Sequence, residues 1–209
     1  MEITAAAQWI NTVFEDFDMA VTSSVHWLHG VGGGFFTPFF EFISFFGKGG
    51  IFLILLSLCL AFFKPTRRFG SAMCLGLAIG AIFTNLVLKV YIARPRPYAD
   101  ESSLYYQLWL KVGQNLESDY SFPSGHTTAA FDSMTPVMIM GKPKYKILAL
   151  TFAVLMCFAR IYLVVHFPSD VLGGIVVGVL AGCLGVLIAA RLPRRWYQWD
   201  TLPHGKHEI

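Results

Sequence analysis

The run Phe69–Leu88, FGSAMCLGLAIGAIFTNLVL, holds no charged side chain. A helix needs about 20 apolar residues to cross the hydrocarbon layer of a bilayer, so the stretch reads as a membrane span. Val171–Ala190, VLGGIVVGVLAGCLGVLIAA, repeats the property. Three further runs are spans with complications. Gly49–Phe63 is uncharged but short and extends back through Phe45 and Phe46; Pro123–Gly141 holds His126 and Asp132; Ile147–Val165 is apolar apart from Arg160. Composition agrees, with 55% of the 209 residues hydrophobic and only 14% charged, where a soluble domain carries roughly 25% charged residues. The expected fold is all-α, a single-domain integral membrane bundle with five spanning helices.

The first 48 residues read differently. Trp9, Val13, Phe14, Phe17, Val21, Val25 and Leu28 recur at helical spacing, with Glu15, Asp16 and Asp18 between them. That pattern suits an amphipathic helix lying in the membrane interface. Gly30–Gly34 breaks it, and Phe35–Phe46 follows as a second short interfacial piece. A sixth span in this region stays open. The chain thus divides into an interfacial region 1–48, a bundle 49–191 and a tail 192–209.

Charge orients the bundle. Ten of the sixteen Lys and Arg residues fall in three segments: Lys64, Arg67 and Arg68; Lys142, Lys144 and Lys146; and Arg191, Arg194, Arg195 and Lys206. Alternating spans put all three segments on one side, which the positive-inside rule makes cytoplasmic. The loop 92–122 and the turn 165–170 then face the extracytoplasmic side. A net charge of +3 is too small to suggest a nucleic-acid partner. Cys59, Cys74, Cys157 and Cys183 lie far apart in apolar runs and read as buried free thiols, not as disulfides or a zinc site. The N-terminus lacks the basic region of a cleaved leader, so none is expected. His204 and His207, in the tail, read as solvated.

The chemistry gathers on the outward side. Ala93-Arg94-Pro95-Arg96-Pro97 must leave the helix that carries Lys89, because proline removes a donor and restricts the residue before it. Lys89, Arg94 and Arg96 then form a cationic arch suited to a phosphate, though taken alone they read more readily as snorkelling anchors or lipid head-group contacts. Ser121-Phe-Pro-Ser124-Gly125-His126 builds a helix N-terminus whose free N–H groups can hold an anion. His126, in its first turn, can donate a proton there. Arg160 is an intramembrane arginine, costly enough to imply function. His166 ends that span, and Asp170, four residues on, can hold one imidazole nitrogen and leave the other free to attack. Arg94 is free to meet lipid or a second phosphate, and Asp132 to bond a neighbouring helix. Tyr98, Tyr105, Tyr106, Trp109 and Tyr120 read as interfacial anchors. The Gly174, Gly178 and Gly182 row, like Gly76 and Gly80, reads as helix packing.

Taken in order, Lys89…Arg96-Pro97, Pro123-Ser124-Gly125-His126 and Arg160…His166…Asp170 resemble the three-part signature of the type 2 phosphatidic acid phosphatases, or lipid phosphate phosphatases, in their small bacterial membrane form. The resemblance covers residues 89–170. It departs at Ala159, where the family has serine, and in the apparent lack of the first of six spans. It implies that His166 attacks phosphorus to form a phosphohistidine, that Asp170 orients it, and that His126 protonates the leaving oxygen. Lys89, Arg96, Arg160, Ser124 and the Gly125 N–H would stabilise the phosphoryl oxygens. No metal or other cofactor is expected, since three cations and a helix N-terminus stand in its place. The implied partner is a membrane lipid phosphate in the cell membrane. Undecaprenyl pyrophosphate is the first choice; phosphatidylglycerol phosphate, phosphatidic acid or a lipid phosphotransfer at the same site are the alternatives.

Overall fold

The computed structural model describes residues 3–193 and 196. Every regular element among them is helical. Helix α1 (Ala5–Phe45) is capped by the Thr4 hydroxyl, which accepts from the Ala7 N–H at 3.1 Å. Its two arms meet at Gly32, where the backbone leaves helical values (φ −166°, ψ 49°), so the glycine run bends the helix. A turn through Gly49 and Gly50, both at positive φ, leads into α2 (Ile51–Phe62). Helix α3 (Arg67–Ala81) continues through a π-helical turn at Ile82–Leu88 into α4 (Lys89–Ile92). After the short α5 (Leu104–Trp109) come α6 (Gly125–Met140), α7 (Pro143–Tyr162) and α8 (Pro168–Ala190).

Among the described residues, four helical runs are long and apolar enough to cross a membrane by length and composition: Ala5–Phe62, Arg67–Ala99, α7 and α8. Their outer surfaces expose Leu55, Leu86, Ile147, Leu180 and Leu187, side chains that suit lipid tails as neighbours. Helix α6, the fifth expected span, is only 16 residues long and carries Thr127, Thr128, Asp132, Ser133 and Thr135, all buried. It tolerates them because α3, α7 and α8 surround it and keep them from lipid. The thiols are free, as expected, but only Cys157 is buried; Cys59 is exposed on α2.

Alternation of direction puts two sets of ends at opposite poles. The 62–67 and 140–143 connections and the end of α8 share one pole, with Lys64, Arg67, Arg68, Lys142, Lys144, Lys146 and Arg191 on or beside them. Arg194, Arg195 and Lys206 of the expected basic segments, and His204 and His207, lie outside the described residues. The other pole gathers the end of α4, the starts of α6 and α8 and the end of α7. Helix α1 and its cap bond to this second pole, through Thr4 to the Ile92 carbonyl, Asn11 and Asp18 to Arg94, Thr37 to the Tyr162 hydroxyl at 2.9 Å and Ser44 to Arg160 at 2.5 Å.

Close approach of α8 to α6 sets this geometry. A Cβ added at Gly178 would lie 2.7 Å from the Thr128 carbonyl oxygen and 2.6 Å from the Phe131 Cβ. Small residues at such crossings let helix backbones pack in lipid, where no hydrophobic force drives them together. Gly178→Leu should therefore overpack the crossing and cost about 1–3 kcal/mol, read as a lowered melting temperature in detergent. An unchanged melting temperature would mean the two backbones are not in contact.

Candidate active site

Local signals place each functional side chain. The α4 helix ends at Ala93 in the left-handed region (φ 49°, ψ 41°), and the chain leaves it through Arg94-Pro95 to Arg96, which is extended (φ −72°, ψ 156°) ahead of a 3-10 turn at Pro97–Ala99. Lys89 thus sits in the last helical turn and Arg96 just past it. At α6 the Ser124 hydroxyl caps the helix, accepting from the Thr127 N–H at 3.4 Å and from the Thr127 hydroxyl at 3.0 Å. Pro168 occupies the first turn of α8, where a missing N–H costs nothing. The Asp170 carboxylate in the same turn accepts from the Phe167 N–H at 2.9 Å.

Arg94 is only 1% exposed and spends its donors inside the protein. It donates to Asp170 at 2.6 Å, to Ser169 at 2.7 Å, to Asp18 at 2.9 Å and to Asn11 at 2.8 Å. The expectation that Arg94 meets lipid or a second phosphate is therefore corrected: its guanidinium is the counter-ion of two buried carboxylates. Asp18 also accepts from the Ser169 N–H and hydroxyl, each at 2.7 Å. Ser121 donates to the second Asp170 oxygen at 2.5 Å.

His166 lies in the turn between α7 and α8, 2% exposed. Its Nε2 is 2.9 Å from an Arg96 nitrogen, and Nδ1 is 3.7 Å from the Asp170 carboxylate and 3.5 Å from the Ser121 hydroxyl. A guanidinium can only donate, so Nε2 must present its lone pair and the ring proton belongs on Nδ1, facing Asp170. Burial, then the charges of Arg96, Arg160 and Lys89, holds the His166 imidazole well below its ordinary pKa of 6.5, so the ring is neutral. Arg96 also donates to the Val165 carbonyl at 2.7 Å and the Asp119 carbonyl at 2.9 Å.

Three cations meet two carboxylates here. Lys89 and Arg96 both pair with Asp119, and Arg160 pairs with Glu117 and bonds Ser44. Burial alone would raise the Asp119 pKa, but Lys89 and Arg96 outweigh it and hold the carboxyl below the ordinary value. A cavity of about 530 Å³ opens beside these groups, lined by Lys89, Arg96, Gly125, His126 and His166 among the expected residues. Arg160, Ser124 and Asp170 do not line it. It continues between α2, α3 and α6 past Thr84 and Thr128 to Asp132. Asp132 is 1% exposed, and its Oδ1 has no hydrogen-bond partner, so it does not make the interhelical bond expected of it. Among the described residues no group of three or more His, Cys, Asp or Glu is placed to hold a metal.

The sequence analysis missed Asp18, Glu117, Asp119, Ser121 and Ser44. Asp18 left a signal: Phe14, Val21 and Val25, at i−4, i+3 and i+7 from it, are apolar and mark its side of the helix as the packed one. Glu117 and Asp119 left none, since a loop acid is ordinarily solvated.

Comparison with known proteins follows the same residues. A family model described as the PAP2 superfamily matches residues 69–194. A protein of Sulfolobus acidocaldarius named undecaprenyl-diphosphatase is 29% identical over 73% of this chain and 70% of its own length. A lipid A 4'-phosphatase of Bacteroides thetaiotaomicron is 26% identical over 83% of this chain and 80% of its own. The crystal structure of a transmembrane PAP2-type phosphatidylglycerolphosphate phosphatase from Bacillus subtilis superposes with a TM-score of 0.62. It is 28% identical, over 90% of this chain and 92% of that one.

The Arg94 network can be tested apart from any reaction. Arg94→Met leaves Asp18 and Asp170 buried without a counter-charge, and removing one partner of such a set costs about 3–5 kcal/mol. The expected outcome is a strongly lowered melting temperature in detergent, partly recovered by Arg94→Lys. Wild-type stability in Arg94→Met protein would show the network to be idle.

Proposed function

Because the chain belongs to the PAP2 superfamily of membrane lipid phosphatases, we propose that His166 carries out the transfer, taking a terminal phosphate from a lipid phosphate or diphosphate. The observation that carries this reading is the His166 Nε2 lone pair, 2.9 Å from Arg96, beside a cavity that Lys89 and His126 also line. In the first step Nε2 attacks phosphorus as the bond to the lipid oxygen breaks, and His126 gives that oxygen a proton. Asp170 holds the developing positive imidazole through Nδ1, with Ser121 between them. In the second step a water attacks the phosphohistidine, His126 takes its proton, and inorganic phosphate leaves as the P–N bond breaks. Lys89, Arg96 and the Gly125 N–H at the start of α6, which line the cavity, stabilise the equatorial oxygens, where phosphoryl transfer gains most; Arg160, held behind the lining by Glu117, joins them as Glu117 moves aside. Ser124 contributes by capping α6, so it acts on the phosphate through the helix N-terminus.

Undecaprenyl pyrophosphate is the substrate we favour. Its support is the Sulfolobus relative's name and the charge asymmetry, which by the positive-inside rule puts the site outside the cytoplasmic face. Phosphatidylglycerol phosphate, phosphatidic acid and transfer to a second lipid are the alternatives. Phosphate release from a panel of these lipids, with and without EDTA and without an added acceptor, separates them. His166→Ala should lose at least about a thousandfold in turnover on every substrate, and wild-type rates in that variant would remove the nucleophile assignment.

His126 gives a second test. A diphosphate expels a lipid monophosphate, a better leaving group than the alkoxide expelled by a monophosphate. His126→Ala should therefore slow monophosphate hydrolysis by about a hundredfold or more and diphosphate hydrolysis by clearly less. Equal losses on both substrate types would remove the role of His126 as proton donor to the leaving oxygen.

A further inference from the structure

The cations and carboxylates of the site differ sharply in how they are held. The side chains of Lys89, Arg96 and Arg160 are 6%, 6% and 2% exposed, whereas those of their partners Asp119 and Glu117 are 47% and 27% exposed. The two arginines are fixed from behind: Arg96 by the Val165 and Asp119 carbonyls, Arg160 by Ser44. The loop that carries the acids is anchored by its backbone. The Asp119 carbonyl accepts from Arg96, the Glu117 N–H donates to the Tyr98 hydroxyl at 2.9 Å, and the Asn115 carbonyl accepts from the Trp109 indole at 3.2 Å. Both carboxylates can therefore rotate out toward solvent while the backbone anchors stay in place. Glu117, Ser118 and Asp119 line the same cavity as Lys89, Arg96, His126 and His166.

We propose that Glu117 and Asp119 determine which phosphates the site accepts, by holding its three cations until a doubly charged terminal phosphate displaces them. The inference rests on the phosphatase reading above for its biological sense, though not for its test. A membrane protein of this kind is surrounded by phosphodiester lipids, each with one negative charge and two free phosphoryl oxygens. Such a group offers less charge than the two carboxylates it would have to expel, and fewer oxygens to share among Lys89, Arg96 and Arg160. A terminal phosphate brings up to two charges and three free oxygens, enough to satisfy all three cations at once. Specificity of this sort is a difference between affinities, and here the resident carboxylates supply the term that works against the abundant competitor. Asp119, held below the ordinary carboxylate pKa, stays ionised through the neutral range and keeps this role there.

The test is calorimetric titration of the detergent-solubilised full-length protein with inorganic phosphate, which needs no turnover. Asp119→Asn and Glu117→Gln keep the shape of each side chain and remove its charge. Each should tighten phosphate binding by about fivefold or more, within the range of a single charge-assisted contact. Glu101→Gln, which removes an exposed charge elsewhere on the same loop, should leave phosphate binding unchanged. In the double variant, phosphatidylglycerol micelles should become a clear competitor of phosphate, while wild-type protein resists them. Phosphate binding unchanged or weakened by Asp119→Asn and Glu117→Gln would overturn the proposal, as would an equal gain from Glu101→Gln. Full turnover in His166→Ala protein would instead overturn the nucleophile assignment and leave this titration standing.

Discussion

The guanidinium of Arg94, buried between Asp18 and Asp170, ties together three segments that lie far apart in the sequence. Asp18 belongs to the first arm of α1, Arg94 follows α4, and Asp170 opens α8. In a bundle that faces lipid on its outer side, hydrophobic burial does little to choose one helix end over another. A charge that cannot remain unpaired does choose, because leaving it alone in a dry interior is far more costly than pairing it. The same network fixes the Asp170 carboxylate by three donors, Arg94, Ser121 and the Phe167 N–H, before His166 makes any demand on it. The histidine therefore meets a carboxylate whose position is already set.

A second constraint acts a few ångströms away. Lys89, Arg96 and Arg160 repel one another, and all three are buried. Their repulsion is tolerable only with anions present, and in the free protein Asp119 and Glu117 provide them. Three cations against two carboxylates leave the resting site with one net positive charge, and any ligand must do better than the side chains it replaces. The neutral state of His166 follows from the same surroundings, since burial and the adjacent cations disfavour a further positive charge. A ring that takes up no second proton at neutral pH keeps its Nε2 lone pair unprotonated.

Much of this was legible in the sequence, for physical reasons that differ by residue. Phe69–Leu88 and Val171–Ala190 declare themselves because lipid contact requires an uncharged run, and both form helices in the structure. The grouping of Lys89, Arg96, His126, Arg160 and His166 at one pole followed from alternating helix direction alone. Helix α6 was harder, as a helix enclosed by others need not be apolar, and its Thr127, Thr128 and Asp132 disguise it. Arg94 was misread because the prolines that follow it, Pro95 and Pro97, said where its backbone goes and nothing about its partners, which lie 76 residues away in both directions. Asp119 and Glu117 were invisible for a related reason: they pair with Lys89, Arg96 and Arg160 across 30, 23 and 43 residues of chain, with no periodicity to mark the match.

The shape of the cavity bears on why such a site sits at the end of a helical bundle. Its charged mouth holds Lys89, Arg96 and the two histidines, while one flank runs down α2 and α3 past Ile54, Leu58, Leu77 and Ala78. The opposite flank, on α6, is polar at Thr128 and Asp132. A soluble phosphate ester needs only the mouth. An amphiphile needs both, since its phosphate must reach the cations while its chain stays among apolar side chains, and a cleft between helices that opens at the interface meets both needs together. The carboxylates at the mouth then act on the phosphate and the apolar flank acts on the chain. The apolar α2–α3 flank suits a hydrocarbon chain attached to that phosphate.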